Sequence, residues 1–282
     1  MNPPTLERKY AGRDRREWNF TQLDSLDPHL ENKEQSTMNK KPLVILIGAD
    51  RGGVGKTTTA RILADYLQAR GANAKLFDSE FPAGDLKRFA PGATIVDIAK
   101  TAGQMSVFDT IDGVTALDIR AGQFSQTLRA LDDAKLLDDV RSGALNLALL
   151  HVLGPTDRSF GEIGEIANII GGGARHFLVR NHINEGDFSD WDKDMRFARQ
   201  LRSMEGATVS IPHLTFEACD ALQKLGMGFD TFTRDASQSR MLRGFLRSWL
   251  DSIWRDFDRV KLGELVAQAI SDRPSVRLAS GG

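Results

Sequence analysis

The spacing of apolar residues changes several times along the chain, and the first clear change comes at Pro42. Leu43 to Ile47 is an unbroken apolar run, the pattern of a strand buried on both faces. From Thr57 to Arg70 the residues Ala60, Leu63, Ala64 and Leu67 recur at helical spacing, and Gly71 stops the pattern. Ala74 to Phe77 and Val114 to Leu117 read as two further strands, with a helix over Ile95 to Phe108 between them. Leu145 to Leu153, Phe177 to Val179 and Thr208 to Ile211 complete the strand set, each pair separated by enough chain for a crossover helix. Strands and helices alternating at these lengths predict right-handed βαβ units. The expected fold class is α/β, a mostly parallel sheet with helices on both faces in three α/β/α layers. In such sheets ligands sit beyond the carboxyl ends of the strands.

The two ends of the chain follow other patterns. Residues 1–41 are polar, carry Pro3, Pro4 and Pro28, and show neither a strand nor a helix period, so a mobile arm is expected. Its basic cluster of Arg8, Lys9, Arg13, Arg15 and Arg16 fits solvated charge or contact with an anionic polymer. Met38 runs straight into the first strand, which leaves a translation start there as an alternative to Met1. Between Arg234 and Val260, Leu242, Phe245, Leu246, Trp249, Leu250, Ile253 and Phe257 mark one helical face. Arg240, Arg243, Arg247, Arg255 and Arg259 lie mostly off that face, as solvated charges on a packed terminal helix or as a surface for DNA or lipid.

Composition narrows the class. The 282 residues carry 37 Lys and Arg against 38 Asp and Glu, which argues against a protein wrapped wholesale around nucleic acid and leaves room for a local basic patch. Cys219 is the sole cysteine, so one subunit closes no intrachain disulfide and builds no cysteine-clustered zinc or iron–sulfur site. A reduced, cytoplasmic setting is the expectation, with Cys219 as a small buried hydrophobe. No apolar run approaches the length of a membrane span. The five histidines show no metal spacing, and Trp18, Trp191, Trp249 and Trp254 are too scattered for a base-stacking platform, so packing is their expected role.

The most informative segment is Gly48-Ala-Asp-Arg-Gly-Gly-Val-Gly-Lys-Thr-Thr-Thr59, between a buried strand and an amphipathic helix. Glycines at 52, 53 and 55, with Val54 between them, let the backbone turn its N–H groups inward as a nest for phosphate oxygens. Lys56 then reaches the β- and γ-phosphates, Thr57 offers its hydroxyl to Mg²⁺, and Thr58 continues the helix start. Asp78 ends a strand about twenty residues after Lys56, a place from which a carboxylate can orient or deprotonate a water at the γ-phosphate; an ordinary turn aspartate is the alternative. The strict phosphate-loop pattern asks for glycine at position 50, where this chain has Asp50.

With that departure, Arg51-Gly-Gly-Val-Gly-Lys-Thr-Thr58 resembles the deviant Walker A motif of the ParA/MinD ATPases, and Asp50 leans toward the ParA side. The resemblance runs from about residue 43 to 230 and implies a P-loop NTPase fold and an ATP-sandwich homodimer. In that dimer the family's extra lysine crosses to the partner's nucleotide, and here Arg51 holds its place with a different reach and stiffness. Asp78-Ser-Glu-Phe-Pro-Ala-Gly-Asp85 resembles the family's Asp-x-Asp-Pro-x-Gly segment with one residue inserted and Glu80 in the second acidic place. Ala116-Leu-Asp-Ile-Arg-Ala-Gly122 resembles the Walker B strand and its turn, which makes Asp118 the ligand of a Mg²⁺-bound water, or else a plain turn aspartate. His151 to Asp157 resembles a strand-to-loop passage, and Val209 to Leu214 the late strand end near the base. Asn181 stands where a relative would hydrogen-bond the adenine edge, with a turn or cap asparagine as the alternative.

The implied organisation is an arm over 1–41, a P-loop domain over 42–233, and an amphipathic helix plus polar tail over 234–282. The implied activity is slow Mg²⁺-dependent ATP hydrolysis that switches dimerisation. Its cargo would be DNA or a protein assembly, as in plasmid or chromosome partition or plasmid transfer. Nonspecific DNA binding by the ATP-bound dimer and an activating partner protein belong to the same picture. Two alternatives stay open: an ATP-dependent small-molecule ligase of the same fold class, and a nucleotide-binding scaffold without hydrolysis. Asp50, Arg51 and the altered turn after Asp118 keep the last one in play.

Overall fold

A computed structural model describes residues 41–154, 157–182, 188–189 and 193–270. The arm, Met38, Trp18, Trp191 and the tail beyond residue 270 lie outside the described residues. The order of elements is β1 (Leu43–Gly48), α1 (Lys56–Ala69), β2 (Lys75–Asp78), β3 (Thr94–Ile95), α2 (Thr101–Phe108), β4 (Val114–Asp118), α3 (Phe124–Asp133) and α4 (Leu136–Ser142). There follow β5 (Asn146–Leu153), α5 (Asp157–Ile170), β6 (Arg175–Asn181), α6 (Met195–Ser203), β7 (Ala207–Ile211), α7 (Phe216–Leu225), α8 (Phe229–Arg234), α9 (Arg240–Arg259) and α10 (Leu262–Ile270). The seven strands form one sheet in the order β3-β2-β4-β1-β5-β6-β7. Every pairing in it is parallel.

Alternation along the central strands explains the three layers. Leu43, Ile45 and Ile47 of β1 point into one apolar cluster, together with Ala148, Leu150 and Val152 of β5 and residues of α1, α7, α8, α9 and α10. Val44 and Leu46 point into the other, with Leu147 and Leu149 and residues of α2, α3, α4 and α5. Because side chains alternate with period two, a strand that is apolar at every position must be covered on both faces. A smaller cluster of Leu153, Ile163, Leu178, Phe188 and Met204 packs α5 and α6 against the later strands. The mostly parallel, doubly covered sheet expected from the pattern is the one observed.

Three local expectations need correction. The helix expected over Ile95 to Phe108 begins only at Thr101, because Thr94 and Ile95 pair with Phe77 and Asp78 as an edge strand. The terminal helix begins at Arg240 rather than Arg234, since α8 ends there and Ser239 accepts the Leu242 N–H as an N-cap. Phe245, placed on the packed face by spacing, is 52% exposed, whereas Leu246, Trp249, Leu250, Ile253 and Phe257 are buried. Trp249 and Trp254 do pack, on Phe229 and Tyr66 respectively. Cys219 is only partly buried, and burial pushes its thiol pKa up. Among the described residues no helix is long and apolar enough to cross a membrane.

Candidate functional site

Strand register brings the site residues to one end of the sheet. Asp78 of β2 pairs with Asp118 of β4, and Asp118 pairs with Ile47 of β1, so three adjacent strands end level with one another. Both aspartates are buried, at 0% and 5% exposure, at the carboxyl ends where α/β sheets bind ligands. The loop leaves β1 at this level and closes into α1 at Lys56.

The loop geometry depends on small residues at two points. Gly55 has φ 93° and is the left-handed N-cap of α1. A side chain there would also overlap the Asn181 carboxamide, whose Nδ2 donates to the Val54 carbonyl at 2.8 Å. Asn181 is 4% exposed and braces the loop from beneath, at the end of β6. At Gly48 a Cβ would sit inside the Phe124 ring, which wedges the start of α3 under the end of β1. Gly52 and Gly53 are exposed, whereas Val54 is buried and pins the loop to the core.

Lys56 is 9% exposed and donates from Nζ to the Arg51 carbonyl at 2.8 Å across the loop. Burial pulls its pKa down, and the negative charges of Asp118, Glu162, Glu80 and Asp50 oppose that shift. Thr57, in the first turn of α1, lies close enough to Asp118 for its hydroxyl to favour the ionised carboxylate. Burial raises the Asp118 pKa to about 7; the Thr57 hydroxyl works against this and the neighbouring Asp78 adds to it. Among the described residues no cluster of three or more His, Cys, Asp or Glu forms a ready cation cage. The hard oxygens of Thr57 and Asp118 fit Mg²⁺, which is held by few protein ligands and completes its shell with phosphate and water.

Asp78 stands at the strand end that spacing gives it, and its carboxylate also holds the turn beyond. Its Oδ1 accepts the Glu80 N–H at 2.9 Å and its Oδ2 accepts the Lys87 N–H at 3.0 Å, so the carboxylate organises the turn that follows β2. Ser79 ties the same turn to the segment just after β4, its Oγ accepting the Arg120 N–H at 2.7 Å. Glu80 is the acid of this turn that acts on Lys56, and it pairs with Arg120 at 3.4 Å.

Asp50 and Arg51 sit at the loop's entrance. Asp50 turns its carboxylate onto the N-terminus of α3, accepting the Phe124 N–H at 2.9 Å, the Ser125 N–H at 3.3 Å and the Ser125 hydroxyl at 2.6 Å. Its own N–H donates to Glu162 of α5 at 2.6 Å. Arg51 is exposed and lines a cavity of about 600 Å³ with Asp50, Gly161, Glu162 and Glu165. Thr58 lies in the first turn of α1, partly buried. No sequence spacing links Glu162 to Asp50 across 112 positions, so its place at the loop was not readable; Glu80 was visible only as the second acid of its segment.

No protein-family model matches the chain, and no curated protein matches it. Among solved structures, the chain is similar to a nucleotide-binding protein from Archaeoglobus fulgidus in complex with ADP. That similarity has 16% identity and a TM-score of 0.44, and covers 70% of this chain and 91% of that one. It is also similar to the MinC:MinD cell division protein complex of Aquifex aeolicus, at 14% identity and a TM-score of 0.40, covering 74% of this chain and 96% of that one.

Proposed function

We propose that this chain binds ATP with Mg²⁺ at the loop 48–59 and hydrolyses it slowly, using nucleotide state to switch a homodimer. The observation that carries the proposal is the convergence of Lys56, Thr57 and Asp118 beside a glycine nest at the carboxyl ends of adjacent parallel strands. In this reading the backbone N–H groups of residues 52–57 cradle the phosphates, Lys56 neutralises charge at the β- and γ-oxygens, and Thr57 and Asp118 hold the Mg²⁺. The metal supplies electrostatic stabilisation of the leaving phosphate oxygens. We assign the orienting of water to Glu80, the acid of this turn that acts on Lys56, and the anchoring of the turn to Asp78, whose oxygens each accept one backbone amide and keep a further acceptor site. The exposed Arg51 is the group that would reach a partner's phosphates, in keeping with the likeness of its motif to the ParA/MinD pattern.

The dimer's attachment to DNA or to a protein cargo follows from the same likeness, and the arginines of α9 are the candidates for it. Arg247 and Arg259 are partly committed, bonding Thr233 and the Thr208 carbonyl, which leaves Arg240 and Arg255 as the more accessible members. A salt-dependent DNA shift with ATP and none with ADP is the expected behaviour.

Asp50, Arg51 and the altered turn after Asp118 support a second reading, nucleotide binding without turnover. Size-exclusion chromatography and phosphate release with ATP or ADP decide between the two. An ATP-dependent dimer with slow phosphate release, both lost in Lys56→Ala, supports the switch. Tight ATP binding with no phosphate release supports the scaffold, and no nucleotide binding in the wild type overturns both.

A further inference from the structure

An acidic side chain inside a phosphate loop is an electrostatic puzzle. Asp50 stands where the strict pattern has glycine, two residues ahead of the nest, and it acts on Lys56. The puzzle resolves in where the carboxylate is spent. All three of its bonds go to the first turn of α3, which has no side-chain cap of its own from Gln123. The positive end of that helix absorbs the charge that phosphate would otherwise meet. At the same residue the backbone N–H is fixed by Glu162.

We propose that Asp50 is a positioning residue for the phosphate loop. It clamps the loop's entrance between α3 and α5, so that the glycines after it turn with a fixed starting direction. Three further contacts make this clamp rigid. The Phe124 ring fills the space above Gly48, its edge meets His151 of β5 at 5.6 Å between centroids, and Arg129 of α3 pairs with Glu165 of α5. Asp50 therefore joins the phosphate loop to elements that are already packed. Replacing it by glycine would restore the strict motif and yet loosen the loop.

The inference rests on the phosphate-loop reading for its ligand, and its test is built to separate the two. Mg·ADP affinity by titration calorimetry, thermal melting, and hydrogen exchange of residues 50–56 without nucleotide are measured for wild type, Asp50→Asn, Asp50→Ala and Asp50→Gly. Leu131→Ala, which weakens α3 away from the loop, serves as the stability control. Loss of these bonds should weaken Mg·ADP binding about tenfold and speed loop exchange at least as much in Asp50→Ala and Asp50→Gly. Asp50→Asn keeps the acceptor for both amides and should stay within about twofold of wild type. Leu131→Ala should melt earlier with affinity and loop exchange unchanged.

Unchanged loop exchange in Asp50→Ala, tighter binding by Asp50→Gly, or Asp50→Asn behaving like Asp50→Ala would each overturn the proposal. A wild type that binds no Mg·ADP overturns the phosphate-loop reading instead, and the exchange data on the free protein still decide whether Asp50 sets the loop.

Discussion

Asn181 Nδ2 donates to the Val54 carbonyl at 2.8 Å, so the end of β6 supports the underside of the phosphate loop. Two consequences can be measured. Asn181→Ala removes a buried donor and leaves the Val54 carbonyl unsatisfied, at a cost of about 1–3 kcal/mol in stability. In the proposed reading the loop carries the phosphate contacts, so Mg·ADP and Mg·CDP should weaken together, by about tenfold for a bond of this kind. A selective loss of ADP over CDP would show instead that Asn181 reads the base. Gly55→Ala should be worse than either, because the new methyl meets the same carboxamide at a left-handed backbone position.

The Thr57 hydroxyl lies beside the Asp118 carboxylate, whose pKa burial raises to about 7. Thr57→Ala removes one of the two proposed cation ligands and leaves the loop backbone intact. Nucleotide affinity measured with EDTA should stay within about twofold, while the gain from added Mg²⁺ should fall about tenfold or more. Equal loss with and without Mg²⁺ would assign Thr57 a role in the fold alone.

In the proposed reading Asp78 and Glu80 divide the roles that their shared segment suggests. Glu80→Gln keeps size and packing and removes the charge that faces Lys56, so phosphate release should fall by about 10²-fold with ADP affinity unchanged. Asp78→Asn leaves one of two backbone amides without its acceptor and should lower stability by about 1–3 kcal/mol, loosening the turn as a whole. Wild-type hydrolysis in Glu80→Gln, with loss confined to Asp78→Asn, would reverse the assignment.

The sheet was legible because apolar runs such as Leu43 to Ile47 have no other place to go than a doubly covered strand. The strand–loop–helix around Gly52 to Thr57 was legible because its glycines, lysine and hydroxyl are contiguous in the chain. What stayed hidden is long-range or very short. Thr94 and Ile95 form a strand too brief to show a period, and their pairing with β2 shortened the helix expected there. The tasks of Asp50, Asn181 and Glu162 depend on partners 74, 127 and 112 positions away, a distance over which side-chain spacing carries no signal. Asp78 is a further case: its position at a strand end was readable, but its two amide partners belong to the turn's conformation, which spacing does not specify.

His151 and His176, on adjacent strands β5 and β6, stack at 5.3 Å between centroids and share a hydrogen bond of 3.0 Å. Each neutral ring satisfies the other: one nitrogen donates and one accepts, and a second proton would leave two donors facing each other. Burial accordingly lowers the His176 pKa from 6.5 to about 4, and burial with the neighbouring ring lowers His151 well below its usual value. A depressed base binds more protons unfolded than folded between those limits, so stability must fall as pH drops from about 6.5 toward 4. The shift of His176 alone corresponds to on the order of 3 kcal/mol. Replacing both rings by leucine removes donor and acceptor together, a change expected to be nearly neutral at pH 7. Denaturant titrations of both proteins at pH 7 and pH 5 then give the result. The wild type should lose more stability between the two pH values than His151→Leu/His176→Leu, and equal losses would show that other groups govern its acid sensitivity.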